Sequence, residues 1–199
     1  MPYQLEKNLP GGIPIPEIFY SQKTGSPFTT CLECERSLFE KNTAYLIEKA
    51  FRKYPGYPAQ DTVFEYAICT DCAETIEKQL SLTSRTRITS YMSSPLKAAL
   101  QERQEWLAAG KQPDPARWTE HCVVKGTPVS EMQEYQIAGY FIENSMILPF
   151  FPYAIGEEAL GELITLLSNE TLDIINDFSG KHFGLPPEFS DVPRLLPLL

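Results

Sequence analysis

CLEC at residues 31–34 and CTDC at residues 69–72 are two Cys-x-x-Cys pairs on either side of a segment rich in β-branched and aromatic residues. Four thiols in two such pairs are the ligand set of a tetrahedral structural zinc site. We therefore predict that one structural Zn²⁺ ion is bound by Cys31, Cys34, Cys69 and Cys72. Because four thiolates leave no coordination position for water or substrate, a catalytic metal is not expected.

The segment between the pairs predicts an antiparallel hairpin. AYLIEKAFRK (44–53) and DTVFEYAI (61–68) have strand composition, and YPGYPAQ (54–60) is a turn rich in Pro and Gly. The second pair opens a predicted helix with Asp71 in its first turn, where free N–H groups and the helix dipole favour thiolates. A knuckle, a hairpin and a helix in this order resemble a treble-clef zinc finger, within the broader zinc-ribbon-like class with four cysteine ligands.

Several other uses of paired cysteines fit less well. Iron in the same cage and dithiol redox chemistry are the alternatives, but a thioredoxin-like pair needs a βαβ context, and here a hairpin precedes Cys69. A treble-clef nuclease uses a histidine at the end of the hairpin, and no histidine lies between Cys34 and Cys69. A RING domain needs eight ligands for two ions, whereas this region supplies four.

The second half of the chain contains a weaker copy of the same pattern. YAICTDCAETIEKQLS (66–81) aligns with YAIGEEALGELITLLS (153–168), and the upstream positions Tyr45, Ile47 and Phe51 align with Tyr135, Ile137 and Phe141. The four ligand positions of the copy hold Cys122, Lys125, Gly156 and Ala159, a set that cannot bind zinc. We predict an internal duplication in which apolar packing replaces the metal, with a chance similarity of two amphipathic segments as the alternative.

These signals predict an α+β fold in which a zinc-bound treble-clef-like unit and a metal-free unit of similar hairpin-helix layout are joined by a helix. The predicted segments are an extended N-terminal strap (1–30), the zinc-binding unit (31–92), a helical connector (93–120), the degenerate repeat unit (121–180) and a C-terminal tail (181–199). Ser94 with Pro95 predicts the start of the connector helix and Gly110 its end, and Asp114 predicts the cap of a short helix through Trp118. One joint core is expected.

Charge and cysteine content narrow the class of partner. The net charge is −9, and residues 104–199 contain 5 basic and 14 acidic side chains, against 12 of each in residues 1–103. Nucleic acid is disfavoured because phosphate binding needs clustered Lys and Arg. Five cysteines, four of them in tight pairs, and no apolar run of about 20 residues favour a reducing compartment, so a cytoplasmic protein without a membrane partner is expected.

No catalytic residue is assigned from the sequence. His121 and His182 are the only histidines. His121 adjoins Cys122, but neighbours on an extended segment point to opposite sides, and His182, after a predicted helix end at Gly180, is expected to be a surface or capping residue. We predict a protein-interaction or regulatory module whose partner is another protein, with self-association left open. A thiol redox or other unrecognised enzyme and nucleic-acid binding are the alternatives.

Overall fold

The computed structural model describes residues 12–57 and 59–184, so the predictions for residues 1–11 and 185–199 lie outside the described residues. It has a mixed α/β fold with one antiparallel sheet and helices, which confirms the predicted class at that level. In chain order the elements are β1 (Ile13–Pro14), β2 (Ala44–Lys53), β3 (Gln60–Cys69), α1 (Thr70–Gln79), α2 (Leu82–Ala108), α3 (Pro115–Trp118), β4 (Glu134–Ile142), β5 (Ser145–Met146), β6 (Tyr153–Gly156), α4 (Glu157–Thr165) and α5 (Asn169–Phe183). Short 3₁₀ turns lie at Glu17–Phe19 and Val129–Glu131.

The centre of the sheet is the antiparallel pair formed by β2 and β4. Strand β2 pairs with β3 on its other side, as the predicted hairpin requires, and this register places Cys69 opposite Tyr45. Strand β4 pairs with β2 from Ala44↔Ile142 to Arg52↔Glu134, and its far edge is shared by β5 and β6. Strand β1 extends the sheet beyond β5. The two halves of the chain therefore contribute neighbouring strands to one sheet.

An aromatic cluster from three parts of the chain packs on one face of this sheet. The ring of Phe141 lies 5.3 Å from the rings of both Tyr45 and Phe19, and all three side chains are 0% exposed. Gly139 leaves the room for this cluster, since a Cβ atom there would lie 2.7 Å from the Phe141 ring and 2.9 Å from the Phe19 ring. The N-terminal segment and both halves thus share one apolar core.

Helix α5 packs on the opposite face. Tyr66 of β3 lies against Phe178 and Phe183 of α5, and its hydroxyl donates a hydrogen bond of 2.6 Å to Oε2 of Glu48. Glu48 is buried, so this bond offsets part of the cost of removing a carboxylate from water. Burial, together with the charge of Glu48, raises the pKa of Tyr66 well above its ordinary value.

Two helix boundaries differ from the predicted ones. The predicted helix start at Ser94 is wrong: α2 begins at Leu82 with Ser81 as its N-cap, and Pro95 lies inside it. A proline removes one backbone donor, and the long helix continues on both sides because its remaining hydrogen bonds are retained. The predicted end at Gly180 is also wrong, because α5 continues to Phe183 and ends at Gly184, whose φ of 60° is left-handed.

Other helix signals are confirmed. Gly110 follows the end of α2 with a φ of 74°, the conformation that glycine adopts without a steric penalty. Asp114 caps α3, and its side chain accepts a hydrogen bond from the Arg117 N–H. Among the described residues, no helix combines the length and the apolar character needed to cross a membrane.

A buried ion pair gives the first testable prediction. Lys49 Nζ lies 3.1 Å from Glu65, which also accepts hydrogen bonds from Ser21 Oγ and the Gln22 N–H. Burial raises the pKa of Glu65, but these donors outweigh burial, and the pKa lies below its usual value. Glu65→Gln is expected to lower the free energy of unfolding by about 2 kcal/mol at neutral pH.

The pH dependence of this loss follows from the sign of the shift. A carboxyl group with a lowered folded-state pKa stabilises the fold above its unfolded pKa of about 4.3, and this contribution disappears as the pH falls through the folded-state value. Urea unfolding of the wild type and of Glu65→Gln should therefore converge at acid pH. Glu40→Gln, at an exposed position, is the control. A constant difference down to the acid limit would contradict the assignment.

Candidate metal centre

The fold brings together the four cysteines predicted as ligands. The Sγ atoms of Cys31, Cys34, Cys69 and Cys72 all lie within 4.8 Å of one another, and those of Cys34 and Cys69 are 3.8 Å apart. Zn–S bonds of about 2.3 Å in a tetrahedron place sulfur atoms about 3.8 Å apart. The donor set and its spacing are therefore compatible with a tetrahedral metal site. Within residues 12–57 and 59–184 no other group of metal-ligating side chains is placed this closely.

The first pair lies on a tight turn that we call the first knuckle (residues 31–36). The Cys31 N–H donates to the Arg36 carbonyl at 2.9 Å, and the Glu35 N–H donates to the Cys31 carbonyl at 3.0 Å. Glu35 has a φ of 58°, a conformation that allows the chain to reverse immediately after Cys34. The Leu32 N–H donates to the Ala67 carbonyl of β3, which fixes the knuckle against the sheet.

The second pair lies where β3 ends and α1 begins. Cys69 is the last strand residue and the N-cap of α1, and its N–H donates to Sγ of Cys31 at 3.4 Å. Cys72 follows in the first helical turn, where backbone N–H groups and the helix dipole stabilise negative charge. Arg36 pairs with Asp71 at 2.6 Å and closes the turn over the helix start. The positions of both cysteines are thus set by backbone geometry.

The electrostatics of the cluster favour a cation among the four thiols. Burial raises the pKa of Cys31, but backbone hydrogen bonds from Cys69, Cys34 and Glu33 outweigh it and the pKa lies below its ordinary value. Burial, with a smaller contribution from the Cys31 thiol, raises the pKa of Cys69, and burial together with the neighbouring thiols raises the pKa of Cys72. Adjacent thiols cannot all ionise without a positive charge between them, and a divalent cation supplies that charge.

The first knuckle also holds the last helix of the fold. Glu33 pairs with Lys181 at 2.6 Å and with Nε2 of His182 at 2.7 Å, both near the end of α5. The His182 side chain is 10% exposed and its ring lies 4.9 Å from Phe178, so the predicted surface position is wrong. The alternative of a capping role stays a prediction, and His182 lies in the last turn of α5. The contact between Glu33 and Lys181 joins residues 148 positions apart, so no local sequence pattern predicts it.

The second knuckle (residues 122–127), as we call the turn that the sequence alignment pairs with the first knuckle, is held together by hydrogen bonds and ion pairs. Sγ of the buried Cys122 accepts hydrogen bonds from the Lys125 and Gly156 N–H groups, both at 3.5 Å. Lys125 Nζ forms ion pairs with Glu162 at 2.5 Å and Glu158 at 3.3 Å. Ala159 is fully buried in the apolar core, and His121 is exposed. The four aligned positions thus take part in packing and hydrogen bonding.

Comparison of the chain with protein-family models, with curated proteins and with solved structures finds no significant match. The function is therefore inferred from the residues and from the geometry of the cysteine cluster.

Proposed function

We propose that this chain binds one structural Zn²⁺ ion through Cys31, Cys34, Cys69 and Cys72 and acts as a protein-interaction module. The observation that carries the proposal is the convergence of four thiols within 4.8 Å of one another. A Cys₄ cage has no open position for a substrate, so the metal stabilises the fold. The residues that bind the partner then lie on the protein surface. Convergence of both pairs on one point also favours a shared ion over two separate dithiol sites, the arrangement that redox chemistry would use.

We further propose that the fold consists of two treble-clef-like units related by duplication. Matching hydrogen bonds in the two knuckles support this relationship. The Leu32 N–H donates to Ala67 and the Val123 N–H donates to Ala154, both at 2.8 Å. In the first unit the Cys69 N–H donates to Sγ of Cys31, and in the second unit the Gly156 N–H donates to Sγ of Cys122.

The helices and the sheet also show a reciprocal arrangement. Ser81 and Ser168 are the N-caps of α2 and α5. The Ser81 N–H donates to Thr171 Oγ1 at 3.1 Å, and the Ser168 N–H donates to Ser84 Oγ at 2.9 Å. Each unit thus completes the helix start of the other. The pairing of β2 with β4 is centred on Glu48↔Ala138, positions that the repeat alignment also equates, as expected for two units around a pseudo-twofold axis.

A matched pair of variants tests this reciprocity. Ser84 and Thr171 are both 0% exposed, and each accepts one backbone hydrogen bond from the other unit. Ser84→Ala and Thr171→Ala are each expected to lower the free energy of unfolding by about 1–2 kcal/mol, because each leaves a helix-start N–H without its acceptor. Urea denaturation of both variants measures the losses. A large loss in one variant and none in the other would contradict equivalent roles.

The tip of the β2–β3 hairpin is the surface that we propose contacts the partner. Tyr54 is 42% exposed and Tyr57 is 74% exposed, although large aromatic side chains are usually buried. Tyrosines supply much of the contact energy in protein interfaces. The excess of acidic residues in the second half favours a partner with a basic surface, since complementary charge increases the rate and specificity of association.

Site-specific photo-crosslinking tests this surface. A photoreactive phenylalanine analogue at position 57 is expected to crosslink one protein reproducibly, whereas the same analogue at Leu82, which is 71% exposed on α2, is not. Excess wild-type chain should compete the product away. Equal labelling at both positions would contradict the proposed surface. Crosslinks to nucleic acid, with binding that weakens steeply as salt increases, would favour the nucleic-acid alternative.

A further inference from the structure

A groove of about 760 Å³ lies between the middle of α2 and the second knuckle. Pro95, Ala98 and Arg103 form one wall, and Trp118, His121 and Val124 contribute to the other. Its volume is within the range of sites that hold small molecules. The groove does not include any of the four clustered cysteines, so its properties can be tested independently of the metal.

Arg103 is a buried cation in this groove that forms no ion pair within 4.0 Å among the described residues, and the more distant charge of Glu102 offsets only part of the effect of burial. Arg103 is 5% exposed, and its Nη1 donates hydrogen bonds to the carbonyls of Pro149 and Phe150 at 3.0 and 2.9 Å. The guanidinium carbon lies 5.0 Å from the centre of the Trp118 ring. Among the described residues, the hydrogen bonds of the guanidinium are those of Nη1, and Arg103 also lines the groove.

This situation differs from that of the other buried charges. Among the described residues, the remaining buried charged side chains are Lys49, which pairs with Glu65, and Glu48, which accepts a hydrogen bond from Tyr66. Buried charges are ordinarily paired because leaving water is costly. Burial lowers the pKa of Arg103 to about 10, so the guanidinium is still positive at neutral pH. An anion in the groove would supply the missing charge.

The repeat alignment proposed above gives a reason for the groove beside the second knuckle. Beside the first knuckle, Glu33 fills the space by pairing with Lys181 and His182 of α5. The aligned position in the second knuckle is Val124, which cannot form an ion pair. The α2 residues that align with Lys181 and His182 are Ser94 and Pro95. They line the groove and do not close it.

We propose that this groove binds a small ligand that carries an oxyanion and an apolar body. The oxyanion accepts hydrogen bonds from Nε and Nη2 of Arg103, a geometry in which a guanidinium binds two oxygens at once. The apolar body lies against Pro95 and Ala98. Glu102 and Glu120 at the groove repel an extended acidic chain, which favours a compact ligand with a single anionic group.

Three probes separate the two parts of this ligand. Trp106→Phe leaves Trp118 as the single tryptophan of the chain, so its fluorescence reports on the groove. Titration of the zinc-loaded full chain with benzoate is expected to give a saturable change. Benzyl alcohol, which lacks the charge, should bind at least about tenfold more weakly, and the same holds for inorganic phosphate, which lacks the apolar body. Tighter binding of phosphate than of benzoate would identify a phosphate site and overturn the apolar requirement.

Variants assign the binding to Arg103. Arg103→Met in the Trp106→Phe background should weaken benzoate binding by about 10- to 100-fold, and Arg87→Met, at an exposed position of the same helix, should leave it unchanged. Ala98→Phe is a second variant, which keeps the proposal testable if Arg103→Met unfolds the loop held by Arg103. The phenylalanine fills the groove from an exposed position and should abolish binding. The absence of a saturable change with any probe, or equal binding by Ala98→Phe, would overturn the proposal.

Discussion

Replacing Cys69 with serine is expected to abolish metal binding and to unfold residues 31–92 together with the sheet that they share with the second half. Cys69 is 1% exposed, supplies one of the four clustered sulfurs and also caps α1. Structural zinc in small Cys sites contributes on the order of 10 kcal/mol to folding, a magnitude comparable with the whole stability of a typical domain. Elemental analysis should find one zinc ion per wild-type chain and none in Cys69→Ser, whose thermal unfolding should begin at a much lower temperature.

Cys122→Ser is the matched control, because Cys122 occupies the aligned position of the second knuckle and is equally buried, at 2% exposed. Its sulfur accepts two N–H groups that a serine oxygen can also accept, so a loss of only about 1 kcal/mol and full zinc content are expected. Chelator should reproduce the effect of Cys69→Ser in the wild type. A Cys69→Ser protein that keeps its metal and its unfolding temperature would refute the assignment of the four ligands.

Phe141→Ala is expected to destabilise both halves of the chain together, by about 3–5 kcal/mol. Phe141 belongs to the second half, but its fully buried ring contacts Tyr45 of the first half and Phe19 of the N-terminal segment. Removing the ring leaves a cavity at the point where all three segments meet. The urea midpoint of unfolding, measured by circular dichroism, should therefore fall by the same amount as the urea midpoint of zinc release to a chromogenic chelator.

Coincident transitions are the sign of one cooperative core. Leu82→Ala is a suitable control, because Leu82 is 71% exposed and its removal should change stability by less than about 0.5 kcal/mol. Unchanged zinc release in Phe141→Ala, combined with a large shift in circular dichroism, would show instead that the halves unfold separately.

Local patterns predicted the elements around the cysteines because each one has a local physical cause. The strand composition of residues 44–53 coincides with β2, and Cys69 lies at the strand end and helix start where the helix signal placed it. The four sulfurs converge because the β2–β3 hairpin returns the second pair beside the first knuckle. Such features depend on neighbours in sequence, on strand propensity and on turn residues.

Features that depend on tertiary contacts could not be predicted in the same way. Ser94 and Pro95 have the composition of a helix start, but α2 begins earlier, at Leu82, where the N–H of its N-cap Ser81 donates to Thr171 of α5. The pairing of Glu33 with Lys181 and His182 joins opposite ends of the described chain. The burial of Arg103 depends on the carbonyls of Pro149 and Phe150, which lie more than 40 positions away in the sequence.

The central position of β2 has a consequence for the order in which the protein can be assembled on the ribosome. Its hairpin with β3 can close once Cys69 has emerged, but its other edge pairs with β4, which ends at Ile142. At about 5–20 residues per second, synthesis leaves that edge open for several seconds. Because open apolar edges recruit strands from other chains, early metal binding, chaperone contact or rapid translation of residues 70–142 would each protect the nascent protein from aggregation.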